Sequence, residues 1–182
     1  SNAVRLLIYE VDAKNKLVPV FNKLNLFRVP IRLGFDVFDT GIISSEKTKM
    51  LIETLKSFRH LINAYQVDHF KVCATSAMRE ARNAKKICSI IKDNTGLNVE
   101  IISGDYEASL IYENHIAETL ESKNAYMYID VGGGSTEVSI FSNGALSFYK
   151  SFNIGTIRLL KGGVANEQWV EMRNSIKKFT KN

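Results

Sequence analysis

The stretch Ile129–Glu137, Ile-Asp-Val-Gly-Gly-Gly-Ser-Thr-Glu, constrains the fold more than any other part of the chain. It reads as an apolar strand that ends in a carboxylate, followed by three glycines, two hydroxyls and a second carboxylate. Glycines permit positive φ and a close approach of backbone to ligand. Successive N–H groups of Gly132, Gly133 and Gly134 can then converge on one anion, with the hydroxyls of Ser135 and Thr136 as further donors. Asp130, at the strand end, is placed to hold Mg2+, directly or through water, because hard cations take oxygen ligands. The competing reading is a plain hairpin turn, although a tight hairpin needs one or two glycines rather than three behind an acid. No G-x-x-x-x-G-K-[ST] loop occurs, and no G-x-G-x-x-G with a following helix.

The elements around this motif point to an α/β layer architecture. Val4–Val11 is rich in branched residues and reads as a strand; Lys14–Lys16 is a polar turn; Leu17–Leu26 and Phe27–Leu33 continue extended, closed by Gly34. Ser44 or Ser45 caps a helix whose apolar residues Met50, Leu51, Leu55, Phe58, Leu61 and Ile62 recur every three or four positions. His69–Ala74 reads as a buried strand. Glu80–Thr95 reads as a helix stopped by Gly96. Val99–Ile102 is a short strand and Asp105–Leu120 another helix. The polar stretch Glu118–Asn124 is the best candidate boundary. Strands follow at Ala125–Val131, Glu137–Phe141 and Ala145–Phe152, with Asn143-Gly144 as a hairpin signal between the last two. Glu167–Phe179 is helical.

Two further polar clusters stand at strand ends, where α/β sheets tend to bind ligands. Ile101–Ala108 places Ser103-Gly104 before Asp105 and Glu107 at a helix start. Ala74–Ala81 places Thr75 and Ser76 before Arg79 and Glu80. Helix capping would explain either cluster by itself.

The halves also echo one another. Ser1–Val4 followed by an apolar strand matches Ser135–Val138 followed by another, and Phe27–Leu33 (FRVPIRL) echoes Phe152–Leu159 (FNIGTIRL). Internal repeats change a fold assignment when they are real, but short apolar strands also resemble one another by chance. In the second half a strand and a glycine turn precede Ser135; the first half lacks their counterpart, so the chain is expected to be a fragment clipped at both ends. Ser1-Asn2-Ala3 fits either a native strand-entry loop or a tag scar.

Composition mainly excludes. Apolar residues make up 45% and charged residues 24%, which is ordinary for globular proteins. There is no signal-peptide pattern and no uncharged apolar run of about 18 residues. Cys73 and Cys88 form no C-x-x-C and read as incidental core thiols in a reducing, cytoplasmic setting. The three histidines are scattered. Lys plus Arg number 24 against 19 for Asp plus Glu, a net charge of +5 that permits an anionic partner without naming one. Arg79, Arg82, Lys85, Lys86 and Lys92 lie on or beside one helix and would suit a linear polyanion, or form an ordinary solvated face.

Taken together, IDVGGGSTE, ATSAMREA and ISGDYEA resemble the exopolyphosphatase / guanosine pentaphosphate phosphohydrolase family, and the likeness runs along nearly the whole chain. The resemblance implies ribonuclease H-like domains of the actin, sugar-kinase and heat-shock-chaperone superfamily, with mixed sheets flanked by helices and truncated here. Residues 1–122 would form a first domain lacking its first strand, and 123–182 the N-terminal part of a second. The implied reaction is Mg2+-dependent hydrolysis of terminal phosphoanhydrides of polyphosphate or guanosine pentaphosphate. Glu107 matches the catalytic base that activates water. Asp130 and Glu137 match the acids that organise Mg2+ and water. Gly132–Ser135 match a phosphate loop, with Thr136 after it, and Ser1-Asn2 look like the end of an earlier one. Arg79, Arg5 and, more weakly, Arg32 match arginines near the phosphates. The family usually has Glu-Glu-Ala-Arg where this chain has Tyr106-Glu107-Ala108-Ser109, which bears on rate and substrate preference. Neither a specific nucleic acid nor a membrane is expected as a partner; a homodimer is allowed. A kinase or ATPase of the same superfamily, and a non-catalytic sensor of polyphosphate or (p)ppGpp, are the rival functions.

Overall fold

A computed structural model of the chain describes residues 2–12, 19–111, 124–143 and 145–180. Within these, β1 (Val4–Asp12) and β2 (Val20–Val29) form an antiparallel pair. Helices α1 (Leu33–Thr40) and α2 (Ser45–Ala64) follow, then β3 (Val72–Ala74), α3 (Ser76–Glu80), α4 (Ala84–Thr95), β4 (Val99–Ile101) and α5 (Gly104–Ile111). Strands β3 and β4 pair in parallel, as a crossover through α3 and α4 requires. The second half opens with β5 (Tyr126–Val131), β6 (Thr136–Ser142) and β7 (Ala145–Phe152), an antiparallel sheet with β6 in the centre. Helices α6 (Thr156–Leu160) and α7 (Asn166–Thr180) close the described chain.

The main core lies in the first half. Leu51, Leu55, Phe58 and Ile62 of α2, at helical spacing, pack with Ile87 and Ile91 of α4, Leu97 and the short helix α3. Burying each such aliphatic side chain contributes about 1.5–3 kcal/mol. Ser44 caps α2 as the sequence implies, its hydroxyl accepting from the Lys47 N–H at 3.3 Å. Met50, on the same apolar list, is exposed. Gly96 ends α4 at φ 69°, the left-handed geometry that favours glycine.

Several expectations are corrected. Gly34 does not close an extended segment; it lies within α1, where an added Cβ would sit 2.8 Å from the Phe38 ring and 3.3 Å from Ile157. Its value is close packing of α1 on α6. The expected helix Glu80–Thr95 is two helices, because Ala81 takes an extended conformation (ψ 121°). Asn83 holds that break: its carboxamide accepts from Ile43 N–H at 3.0 Å and donates to Ile43 O at 2.8 Å. The basic stripe is divided as a result. Arg79 turns inward on α3, Arg82 donates to Thr40 O at 2.9 Å, and Lys85, Lys86 and Lys92 are exposed on α4. The strand expected at His69–Ala74 shortens to three residues, and Cys73 on it is exposed while Cys88 is half-buried. Cys73 is therefore not a core thiol, whereas Cys88 packs against the main core. The Lys14–Lys16 turn, Gly144 and the 122/123 boundary lie outside the described residues, as do residues 112–120 of the Asp105–Leu120 helix.

The internal echo has a structural counterpart in a different register. Val4 pairs with Val29 and Thr136 with Phe152. After each hairpin the chain makes the same turn, Ile31 N–H to Val29 O and Ile154 N–H to Phe152 O, and a helix starts four residues after Val29 and Phe152 respectively. Val4 thus corresponds to Thr136 rather than Val138, and Val29 rather than Phe27 corresponds to Phe152.

Replacing Asn83 by Ala leaves both Ile43 backbone groups without their partner. The expected cost is about 1–3 kcal/mol, measurable as a lower urea midpoint with an unchanged m-value.

Candidate active site

Between β5 and β6 the glycine motif forms a hairpin closed by Gly132 N–H to Ser135 O at 2.8 Å. Neither Gly132 nor Gly134 lies in the left-handed region, so positive φ is not the reason for glycine here. Crowding is. A Cβ on Gly134 would meet the Phe38 ring at 2.4 Å and Ser76 Oγ at 2.6 Å. From the other side, Gly155 packs so closely that its own Cβ would lie 2.5 Å from the Gly133 carbonyl.

What sets this hairpin apart from an ordinary turn is the fate of its carbonyls. Gly132 O accepts from Thr156 N–H at 3.0 Å, and Gly133 O from the N–H groups of Ile157 at 2.9 Å and Arg158 at 3.2 Å. Gly134 O accepts from Arg158 Nε at 2.9 Å. All three point at the first turn of α6. In a planar trans peptide the N–H lies opposite the C=O. The amides of Gly133, Gly134 and Ser135 are therefore turned away from α6 together, as a phosphate-binding loop requires. Thr136 contributes less than its sequence position implies, since its hydroxyl donates to Ile154 O at 2.5 Å and that single proton is spent.

Glu107 reaches this region because α5 begins against β7. Tyr149 donates its hydroxyl to Gly104 O at 2.9 Å, and a Cβ on Gly104 would stand 3.0 Å from the Ser151 Cβ. Ser103 caps α5, its hydroxyl accepting from Tyr106 N–H at 3.1 Å. Capping therefore accounts for Ser103 and leaves Glu107 free for another role. The Glu107 carboxylate lies 3.6 Å from Arg79 Nη1, an ion pair too long for a hydrogen bond. Its Oε2 is buried with no hydrogen-bond partner among the described residues. Burial raises the Glu107 carboxyl above the usual glutamate range, the charge of Glu137 adds to this, and Arg79 opposes it without prevailing. Arg79 itself is half-buried and donates a 2.6 Å hydrogen bond to Ile102 O.

Glu137, on the central strand, is 5% exposed and accepts from Ser151 Oγ at 2.8 Å. It pairs in register with Asp130, so the two carboxylates occupy one face of the sheet. Among the described residues no group of three His, Cys, Asp or Glu side chains could hold a metal. Asp130 and Glu137, a register pair on one sheet face, are a donor set that suits Mg2+, which commonly takes one or two protein carboxylates and completes its shell with water and substrate phosphates.

The remaining expected residues are dispersed. Asn2 and Arg32 line a small cavity of about 110 Å3 with Thr75, next to the start of α3, and Asn2 O accepts from Arg32 N–H at 2.8 Å. Arg5 is exposed on β1 opposite Arg28, and no contact among the described residues brings it to Glu107 or the glycine hairpin. Ser1 lies outside the described residues. Conversely, Phe38, Ser151 and Arg158 surround the glycine hairpin and Glu137 without having been expected there, and Ser76 and Glu80 join them from the Ala74–Ala81 cluster. Of the first three, only Arg158 carried a usable signal, its place in the repeated Ile-Arg-Leu.

The α/β framework thus brings together a glycine hairpin pinned through its carbonyls and a half-buried glutamate with one buried oxygen. Residues 7–179 match the Ppx/GppA phosphatase family, and the chain belongs to it. A guanosine-5'-triphosphate,3'-diphosphate pyrophosphatase of Pseudoalteromonas translucida is 32% identical over 134 residues, covering 74% of this chain and 26% of that protein. Exopolyphosphatase 2 of Mycobacterium tuberculosis is 28% identical over 167 residues, covering 87% and 51%. The crystal structure of an exopolyphosphatase from Cytophaga hutchinsonii superposes with a TM-score of 0.78 at 26% identity, covering 97% of this chain and 57% of that one. The chain therefore spans 57% or less of the length of each of these relatives.

The raised Glu107 carboxyl has a definite sign for stability. The folded state holds this proton more tightly than the unfolded state. The contribution is present below the ordinary glutamate value of 4.5 and is lost as pH rises through the folded value. Glu107→Gln is therefore expected to be more stable than the parent at pH 7, with the difference vanishing below pH 4.5. Carboxyl NMR titration should place the Glu107 midpoint above 4.5, and higher again in Arg79→Ala.

Proposed function

We propose that the full-length protein hydrolyses terminal phosphoanhydride bonds of inorganic polyphosphate or guanosine pentaphosphate. The observation that supports this reading best is Glu107: its buried Oε2 makes no hydrogen bond among the described residues, stands 3.6 Å from Arg79 Nη1 and near Glu137, and sits on an element packed directly against β7. Such an oxygen is poised to accept a proton from water. A capping or purely structural glutamate would have its lone pairs satisfied.

Phosphoryl transfer needs positioning and charge neutralisation more than covalent help. The aligned amides of Gly133, Gly134 and Ser135 would receive the terminal phosphate, and Arg79 would face its developing charge. Glu107 would orient the attacking water and take its proton; the raised carboxyl makes it a better base than an ordinary glutamate near neutral pH. Asp130 and Glu137 would hold Mg2+, which when bound supplies charge neutralisation to the phosphate oxygens. Ser151 keeps Glu137 oriented for that task. Asn2, Arg32 and Arg5 would act on phosphates further from the bond being broken.

Tyr106, where the family usually has an acid, does not disturb this arrangement. Its hydroxyl accepts from Lys71 Nζ at 3.1 Å, and Lys71 also pairs with Glu100 at 2.9 Å. The substitution thus adds a contact on the outer side of α5. Among the described residues no helix is long and apolar enough to cross a membrane. A cytoplasmic site of action, as suits nucleotide and polyphosphate substrates, is part of the proposal, and a homodimer is compatible with it.

Phosphate release from polyphosphate, guanosine pentaphosphate and ATP separates the readings. The full-length protein should release phosphate from one of the first two, lose activity on chelation and regain it with Mg2+. Glu107→Gln should lower kcat by roughly 10²–10⁴-fold. An unchanged rate would remove Glu107 from the base role, turnover of ATP alone would favour the kinase or ATPase reading, and binding without turnover the sensor.

A further inference from the structure

We infer that Arg158 is a positioning residue for the reaction, the pin that fixes the glycine hairpin and locks it to the helix bearing Arg79. The inference rests on the phosphate-loop reading of Gly132–Ser135. Arg158 is on α6, and its side chain is 11% exposed. Its guanidinium makes three contacts at once. Nε donates to Gly134 O at 2.9 Å. Nη2 forms a close ion pair with the Glu80 carboxylate. Its plane lies over the Phe38 ring, with Cζ 4.4 Å from the centroid. The same Phe38 ring is the surface against which a Cβ on Gly134 would collide.

Each contact has a separate consequence for the site. The Nε bond takes the last carbonyl of the hairpin and so turns the Ser135 amide away from α6, completing the set begun by Thr156, Ile157 and the Arg158 backbone. The Glu80 pair couples that hairpin to α3, where Glu80 directly follows Arg79. Arg79 in turn contacts Glu107 and Ile102 O. One side chain therefore spans the two halves of the molecule at the point where the loop donors and the arginine must keep a fixed separation. Guanidinium suits this: it is planar, always charged, and presents donors in several fixed directions together. Lysine has one ammonium head and cannot serve Gly134 O and Glu80 while stacking on Phe38.

The test uses the full-length protein with Arg158→Met, which keeps an apolar stem on Phe38, and Arg158→Lys. Both should raise KM for the hydrolysed substrate roughly 10–100-fold, the penalty for mispositioned binding groups. kcat should fall by less than about 3-fold, and the pH midpoint assigned to Glu107 should stay in place, because the proton acceptor is untouched. Amide hydrogen exchange supplies a readout independent of turnover: Gly133, Gly134 and Ser135 should exchange about 10-fold faster in Arg158→Met than in the parent. A parental KM in Arg158→Met, full recovery in Arg158→Lys, or unchanged exchange would each overturn the inference. Should Arg158→Met not fold, Glu80→Gln is expected to raise KM by about 3–10-fold, and an unchanged KM would refute the lock. A parent without hydrolysis of either substrate would refute the proposed function instead, and the exchange comparison would still decide the role of Arg158.

Discussion

The site depends on where three carbonyl groups go. Gly132, Gly133 and Gly134 send theirs to the first turn of α6 and the Arg158 guanidinium. Helix N-termini carry unsatisfied N–H groups and a partial positive charge, and are often used to hold anions directly. Here that capacity is spent on the protein's own carbonyls, and the N–H groups of the same peptides face the other way. The loop acquires a fixed array of amides without any residue of Gly132 or Gly134 adopting a left-handed backbone. Glycine is needed because Phe38, Ser76 and Gly155 leave no room for a side chain.

Electrostatics builds on that framework. Glu107 and Glu137 belong to different halves and are brought close by the contact of α5 with β7 through Gly104, Tyr149 and Ser151. Two carboxylates near one another, one of them with a buried oxygen left unsatisfied, is a costly arrangement. Arg79 offsets part of the cost but leaves the Glu107 carboxyl raised. A stability-optimised fold would satisfy that oxygen with a hydrogen bond.

The chemistry was more legible in the sequence than the connections that position it. IDVGGGSTE marked a glycine turn after an apolar strand; the turn joins β5 and β6 as a hairpin, the reading the sequence had ranked second, while the alternation of strands and helices announced the α/β framework. Asp130 stood out as an acid between an apolar strand and three glycines, whereas Arg79 and Glu107 lay in clusters that helix capping explains as well, and their expected roles, like that of Glu137, came from the family resemblance. By contrast, α1 was hidden behind Gly34, whose glycine serves packing against Phe38 and Ile157 rather than termination. The break between α3 and α4 depends on a tertiary bond from Asn83 to Ile43, forty residues away. Arg158 carried no local pattern beyond an Ile-Arg-Leu echo; its contacts are to Gly134 and to Glu80 on the other half of the chain, and only the assembled fold brings them together.

In the proposed reaction, water oriented by Glu107 attacks the terminal phosphorus of a substrate whose end sits on the Gly133–Ser135 amides. Hydrolysis of guanosine pentaphosphate by the full-length protein in 18O-labelled water tests it directly. One 18O atom is expected in the released inorganic phosphate and none in the nucleotide product. Label in the nucleotide would place the attack on an inner phosphorus and contradict it.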